Sequence, residues 1–318
     1  MLANIDIGHG KQPCWLHASG SRSNQDSTHK VIVTPIYSMN SITKMGYALC
    51  SSSVRICGWS QINRLFFPSI CRDFVKMFPD ESACAAYLER LRWPGGFICP
   101  ACQQQQKPWR HTRSRLVCPT CRHQCTVTAG TIFDKTRTPL TTWFDAAWHV
   151  TTAKNGLSAK TLERMMGVSY RVAWYMLHRF RVAMVRTPRE PLSGEVEVDE
   201  TMIGGVEEGG KRGRGTNKEI VVIAVEIKHP KGFGRMPGVH RVASLLKRWL
   251  LGTHQGAFTS EHLQSYLEEF TFRFNRRTSS RRGQLFRRLL EQAVATHPVT
   301  RAEVRHGYQW KPETPVEE

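Results

Sequence analysis

Cys99-Pro-Ala-Cys102 and Cys118-Pro-Thr-Cys121, two Cys-Pro-x-Cys knuckles separated by residues 103–117, decide how this chain is read. Two thiolate pairs a short loop apart close a tetrahedral site around one zinc ion, at a spacing typical of zinc ribbons. The repeated Pro argues against four unrelated thiols. Residues 103–117 begin polar and end strand-like at Arg115-Leu116-Val117, which suits a hairpin pinned by metal at its base. Four sulfur ligands leave no open position for water, so Zn²⁺ is read as structural. Cys125, four positions beyond Cys121, is read as a buried small side chain and not as a fifth ligand.

Composition bounds the partners. The chain has 318 residues, 40% of them hydrophobic, and a formal charge of +19 with an isoelectric point of about 9.9. Such a charge argues for a polyanion, and nucleic acid is the usual one. A membrane-surface role fits less well, because Arg and Lys are scattered over several segments. No charged region followed by a long apolar run opens the sequence, and the stretches at 47–57 and 65–71 are too short to span a bilayer. Ten cysteines, four of them metal ligands, then point to a reducing, cytoplasmic setting.

Residues 1–68 show no sustained period and are expected to be a disordered extension. Residues 69–135 are read as an N-terminal helix and the ribbon. Phe74, Phe78, Cys84, Tyr87 and Leu91 form the helix's apolar face, Asp80 or Ser82 caps it, and the β-branched run at 125–133 completes the ribbon sheet. Residues 136–190 turn helical. A helix around Trp143 to Thr151 precedes a second at 158–166, the turn Gly167-Val168-Ser169, and a third at 170–185. That outline is a helix-turn-helix, with Tyr170, Arg171, Tyr175 and Arg179 facing a DNA major groove. The same pattern also fits a plain helical hairpin with a solvated basic face. The ribbon and the net charge favour DNA.

Residues 191–295 open on the alternating Glu195-Val-Glu-Val-Asp199 and a second strand at 219–227, a hairpin with Asp199 at the end of its first strand. A carboxylate there is a familiar Mg²⁺ ligand, although alone the signal is weak. Helices follow at 239–251 and 260–270. The stretch 273–288 then carries seven arginines and no acid, which suits contact with phosphates. Residues 296–318 are read as a tail. The fold class is α+β, multidomain.

Val196-Glu-Val-Asp-Glu-Thr-Met-Ile-Gly-Gly205, following the ribbon and the helical outline, resembles the ISXO-like group of insertion-sequence transposases. The similarity includes Phe74-Val-Lys-Met-Phe-Pro-Asp80, Thr128-Ala-Gly-Thr-Ile-Phe133, residues 239–254 and residues 266–277, and it spans roughly residues 70–295. It implies an RNase-H-like nuclease domain in which carboxylates hold Mg²⁺ for DNA strand cleavage and transfer. It also implies transposon terminal repeats as DNA partner, self-association or contact with intact relatives, no membrane, and a bacterial cytoplasm or nucleoid. Asp199 matches the family's first acid. His240, seven before Lys247, matches its third position, where Glu is commoner. The second Asp is missing, because no aspartate occurs after Asp199.

Only 41 positions separate Asp199 from His240 (240 − 199), too few for the strands that this fold places between its ligands. An internal deletion near Met236–Pro237 accounts for both shortages. The expected protein is a transposase by descent with a truncated nuclease domain and no catalysis. The alternative is a DNA-binding zinc-ribbon remnant or regulator without nuclease activity.

Overall fold

The computed structural model describes residues 31–35, 67–111, 115–185, 192–205, 218–227, 237–256, 258–279 and 281–308. Two helices open the family-like part, α1 (Cys71–Met77) and α2 (Glu81–Arg92). The apolar face expected of one helix is divided between them by Pro79, and Phe74, Phe78, Cys84, Tyr87 and Leu91 are all buried. Of the two cap candidates, Asp80 holds the position, accepting from the Ala83 N–H at 2.8 Å, while Ser82 donates to it.

The ribbon is an antiparallel sheet of β2 (Trp109–His111), β3 (Arg115–Val117) and β4 (Gln124–Thr126), in that order. The run at 125–133 leaves the sheet after Thr126, contrary to expectation. Arg92 reaches over to donate to the Thr126 and Val127 carbonyls, at 3.3 and 2.7 Å, and Gly130 turns the chain at φ +73. Ile132 and Phe133 then enter the helical core.

That core is built from α3 (Leu140–Thr152), α4 (Ala159–Met166) and α5 (Tyr170–Met184) against α1 and α2. Ser158 and Ser169 cap α4 and α5, and Gly167 takes the left-handed turn between them at φ 64. Phe74, Phe78, Tyr87, Phe144 and Trp148 all pack rings against Phe286, which lies on α8 (Arg282–Ala295). Residues 282–295 therefore pack with the ribbon and helical region, not with the nuclease-like segment to which the sequence reading joined them. Gly283 permits this. A Cβ there would lie 1.8 Å from the Pro68 carbonyl oxygen.

The second core lies under a sheet of β5 (Glu195–Ile203), β6 (Glu219–Ile227) and β1 (Val31–Pro35), in the order β1-β6-β5 and antiparallel throughout. Helices α6 (Pro237–His254) and α7 (Ser260–Phe274) cover one face with Val239, Val242, Leu246, Leu263 and Leu267. The expectation that residues 1–68 are disordered fails at Val31–Pro35. This β-branched run occupies the second edge of β6, buries Val31 and Val33, and is clamped by Asn275. The Asn275 amide exchanges two hydrogen bonds with the Val31 main chain, at 2.8 and 3.1 Å. Pro35 ends the strand at the sheet's rim, where a missing N–H costs nothing.

The two cores meet at a buried ion cluster. Arg181 on α5 and Arg273 on α7 each donate to Glu269 at 2.9 Å, and the side chains of Arg181 and Glu269 are 2% exposed. Burial pushes the Glu269 carboxyl up, and Arg181, Arg273 and His254 outweigh it, holding the group at about 2. A short α9 (Arg301–Arg305) closes over Val182 and Tyr175 through Val304.

Candidate functional site

The four knuckle sulfurs converge. All lie within 4.8 Å of one another, with Cys99 Sγ 3.5 Å from Cys121 Sγ and Cys102 Sγ 3.6 Å from Cys118 Sγ. A zinc–sulfur bond of ~2.3 Å puts tetrahedral sulfurs about 3.8 Å apart, so the cluster fits Zn²⁺ closely. The two knuckles are near copies. Gln103 and Arg122 each follow the second cysteine in the left-handed region, and each returns its N–H to the first cysteine's carbonyl, at 2.9 and 3.0 Å. The Cys121 N–H pulls the Cys118 thiol down to about 6 and the Cys102 N–H lowers that of Cys99, while the crowding of the four sulfurs raises those of Cys102 and Cys121. These amides favour thiolate, the form that binds metal. Cys125 is buried beside the cluster but outside it, as expected.

Asp199 and His240 do come together. Asp199 Oδ2 lies 3.8 Å from His240 Nδ1, and Asp199 Oδ1 accepts from the Glu200 N–H at 2.9 Å. Lys247 is exposed two turns along α6 from His240. Asp199, however, lies in the middle of β5 and not at its end, because the strand continues to Ile203.

The device that places His240 is Glu197, which sequence offers beside Asp199 as a possible ligand and not as an anchor. Its buried carboxylate accepts from the Val239 N–H at 2.9 Å, anchoring the first turn of α6 on β5. An anion is favoured there by the helix dipole. Gly238 leaves the room: a Cβ would lie 2.7 Å from Glu197 Oε2. The signal in the sequence was the i, i+2 spacing of Glu197 and Asp199, which puts both on one face of a strand.

These residues do not form the multi-carboxylate set of a two-ion site, because Asp199 with an imidazole supplies one carboxylate. Glu197 is committed to α6. Glu226 sits on the opposite face of the sheet and accepts from the Ser193 N–H at 3.2 Å. Among the described residues, the cysteine cluster is the only grouping of three or more metal-ligating side chains.

The four helical residues assigned to a groove divide. Tyr170 is 50% exposed at the start of α5, and Arg171 beside it is exposed. Tyr175 packs under α9, its hydroxyl accepting from Arg301 at 3.0 Å. Arg179 does not face outward. It donates to the Ile132 and Val299 carbonyls at 3.1 and 3.3 Å, and burial lowers its pKa. A helix that packs on three sides has too narrow a free face for a residue nine positions in. Part of the arginine-rich run is engaged within the fold: Arg273 with Glu269, Arg287 with Glu291 and Arg276 over the Phe272 ring, while Arg277, Arg281 and Arg288 are exposed.

Sites and fold together define a zinc-ribbon protein whose ribbon is joined to a helical body and a small, helix-covered sheet. Comparison with known proteins places it more closely. Residues 79–124 match the transposase zinc-ribbon domain, and residues 233–275 match the ISXO2-like transposase domain. An uncharacterized protein in transposable element ISH50 of Halobacterium salinarum is 29% identical over 143 residues, which cover 44% of this chain and 46% of that protein. The chain thus spans about half the length of the relative it matches. These matches relate it to the insertion-sequence transposases. No solved structure matches it. No helix among the described residues is long and apolar enough to cross a membrane.

Proposed function

We propose that this chain is an insertion-sequence transposase by descent that binds DNA at element ends and no longer cuts it. The observation that carries the reading is the unequal state of its two ligand sets. Four cysteines stand in tetrahedral reach of one another, while among the described residues Asp199 and His240 gather no third metal-ligating side chain. A cleavage site of the two-ion type needs anionic ligands for both cations, and the second aspartate expected between Asp199 and His240 is absent from the sequence, where the acids are all glutamates. The ISXO2-like match covers residues 233–275 and leaves out the β5–β6 hairpin, which is in keeping with an internal deletion between them.

β1 explains how the remnant still folds. A strand from outside the family-like region takes the edge of β6 that a longer domain would fill with its own next strand. That edge, left bare, would expose a row of unpaired main-chain groups. The helix-turn-helix outline of α4 and α5 presents Lys160, Arg164, Tyr170 and Arg171 to solvent, with DNA as its partner. A copy that occupies terminal repeats without cutting them competes with intact relatives. The expected setting is the bacterial cytoplasm and nucleoid.

Two assays test this. A gel shift on duplexes carrying the element's terminal repeats should show binding that weakens steeply with salt. A strand-transfer assay with Mg²⁺ or Mn²⁺ on the same ends should give no product. Product that disappears in Asp199→Asn would overturn the loss of catalysis, and promoter binding without terminal-repeat binding would favour the regulator.

A further inference from the structure

We propose that the open face of the ribbon is a stacking site for an unpaired base of single-stranded DNA, with Trp109 and Arg122 as its platform. The inference rests on the DNA-binding reading above and adds a second contact, separate from α5.

β2 is the edge of the ribbon sheet and is exposed at all three of its positions. A three-residue strand with no buried side chain gains little from placing a tryptophan there for folding, yet Trp109 stands 49% exposed. The Arg122 guanidinium lies over its ring, 4.5 Å from the centroid. Register puts Trp109, His111, Arg115 and Val117 on one face, while Arg110 and Leu116 point to the other. On that other face Arg110 is paired with Glu89 at 2.8 Å.

The metal knuckle fixes the platform. Arg122 holds φ +60, its N–H bonded to Cys118 at 3.0 Å, and the Cys118 N–H bonded to His123 at 2.9 Å. The backbone under the guanidinium is therefore set by the zinc site and needs no ordering when a ligand arrives. Residues 99–133 include Lys107, Arg110, Arg113, Arg115 and Arg122 and no Asp or Glu. A flat cation–aromatic pair on a segment with no acid of its own matches the flat π face of a base next to its phosphate. Bases of intact duplex keep those faces inside the stack, so an unpaired nucleotide is the occupant.

The test uses the zinc-loaded full chain, a labelled single-stranded oligothymidylate, and a duplex of terminal-repeat sequence, read by fluorescence anisotropy at fixed salt. Trp109→Ala should weaken single-strand binding roughly 5- to 150-fold, the range expected for one lost stacking contact. Trp109→Phe should recover most of it, and duplex binding should be nearly unchanged. Arg122→Gln, which installs the side chain that Gln103 already carries at the equivalent place, should weaken single-strand binding with one zinc per chain retained. Should Trp109→Ala lose its zinc, Arg122→Gln decides. Unchanged single-strand affinity in zinc-loaded variants, alongside intact duplex binding, would overturn this inference and leave the DNA-binding reading standing. A chain that binds neither probe overturns both, and equal losses on both probes reduce the face to a general phosphate contact and sink the stacking claim.

Discussion

The ribbon and the small sheet both depend on residues brought together from a distance, and they differ in what completes them. In the ribbon, every ligand the metal needs comes from two adjacent knuckles within residues 99–121, so the site is intact as long as that stretch is. In the sheet, Asp199 of β5 and His240 of α6 come from separate elements with β6 between them, and on the reading proposed above further strands have been lost there. The sheet nevertheless folds, because Glu197 seats α6 and Val31–Pro35 fills an edge. A local site depends on one stretch alone; on the reading proposed above, a dispersed site keeps its scaffold and loses its chemistry.

The largest expected effect separates the two regions outright. Structural zinc contributes on the order of 10 kcal/mol in small modules, so Cys118→Ser or chelation should unfold the ribbon. Hydrogen exchange should show amides of residues 97–126 losing protection while those of β5, β6 and α6 keep theirs. If the sheet also melts, the regions are not independent. Glu269→Ala tests the junction between them. It leaves Arg181 and Arg273 buried without their anion, and denaturant unfolding should show a loss of about 3–5 kcal/mol.

Acid should act on the same junction. His254 lies against Trp249 and Tyr266, near Glu269, Arg181 and Arg273, and burial lowers its pKa from 6.5 to about 4. His178 is lowered as well, by burial and then by Arg181 and neighbouring histidines. Both groups are more basic in the unfolded chain. Below pH 6.5 the unfolded state takes up protons first, so stability falls as pH drops from 6.5 toward 4. For His254 the loss reaches about 3 kcal/mol at pH 4. Glu269 adds its own loss only below about 4.5. Unfolding of His254→Phe should depend less on pH between 6.5 and 4 than that of the native chain, and identical profiles would remove His254 from the account.

Val33→Ala weighs how much β1 matters. Val33 is fully buried opposite Ile223, and trimming it should cost about 2 kcal/mol, with lost protection in β6. No change would mean that the sheet stands without the strand, and the comparison drawn above would lose its second half.

Sequence alone made the ribbon legible because its information is local: spacing fixes the ligands, and sulfur fixes the metal. The helices at 140–184 were legible for a similar reason, with Ser158, Gly167 and Ser169 marking their ends. What sequence could not give was partnership over long range. Nothing in Val-Ile-Val-Thr-Pro announces β6, almost two hundred residues on, and the Asn275 clamp is silent until the fold brings it there. The run at 273–288 read as a phosphate contact because charge is visible in sequence and pairing is not. Phe286 within it, with Leu289 and Leu290 just beyond it, was the better clue, an apolar stripe that buries itself among α1, α2 and α3.

The smallest effect distinguishes two arginines of one helix. Arg171 is exposed at the first turn of α5; Arg179, two turns on, donates to two carbonyls. If α5 meets DNA by its first turn, Arg171→Ala should leave stability unchanged, weaken terminal-repeat binding, and lower the slope of log affinity against log salt by about one. Arg179→Ala should do the reverse. It strands the Ile132 and Val299 carbonyls, costing about 1–2 kcal/mol in unfolding, and leaves the salt slope as it was. A lowered slope from Arg179→Ala would mean that its guanidinium reaches phosphate after all, and that the groove-facing surface runs further down α5 than the packing against Ile132 and Val299 allows.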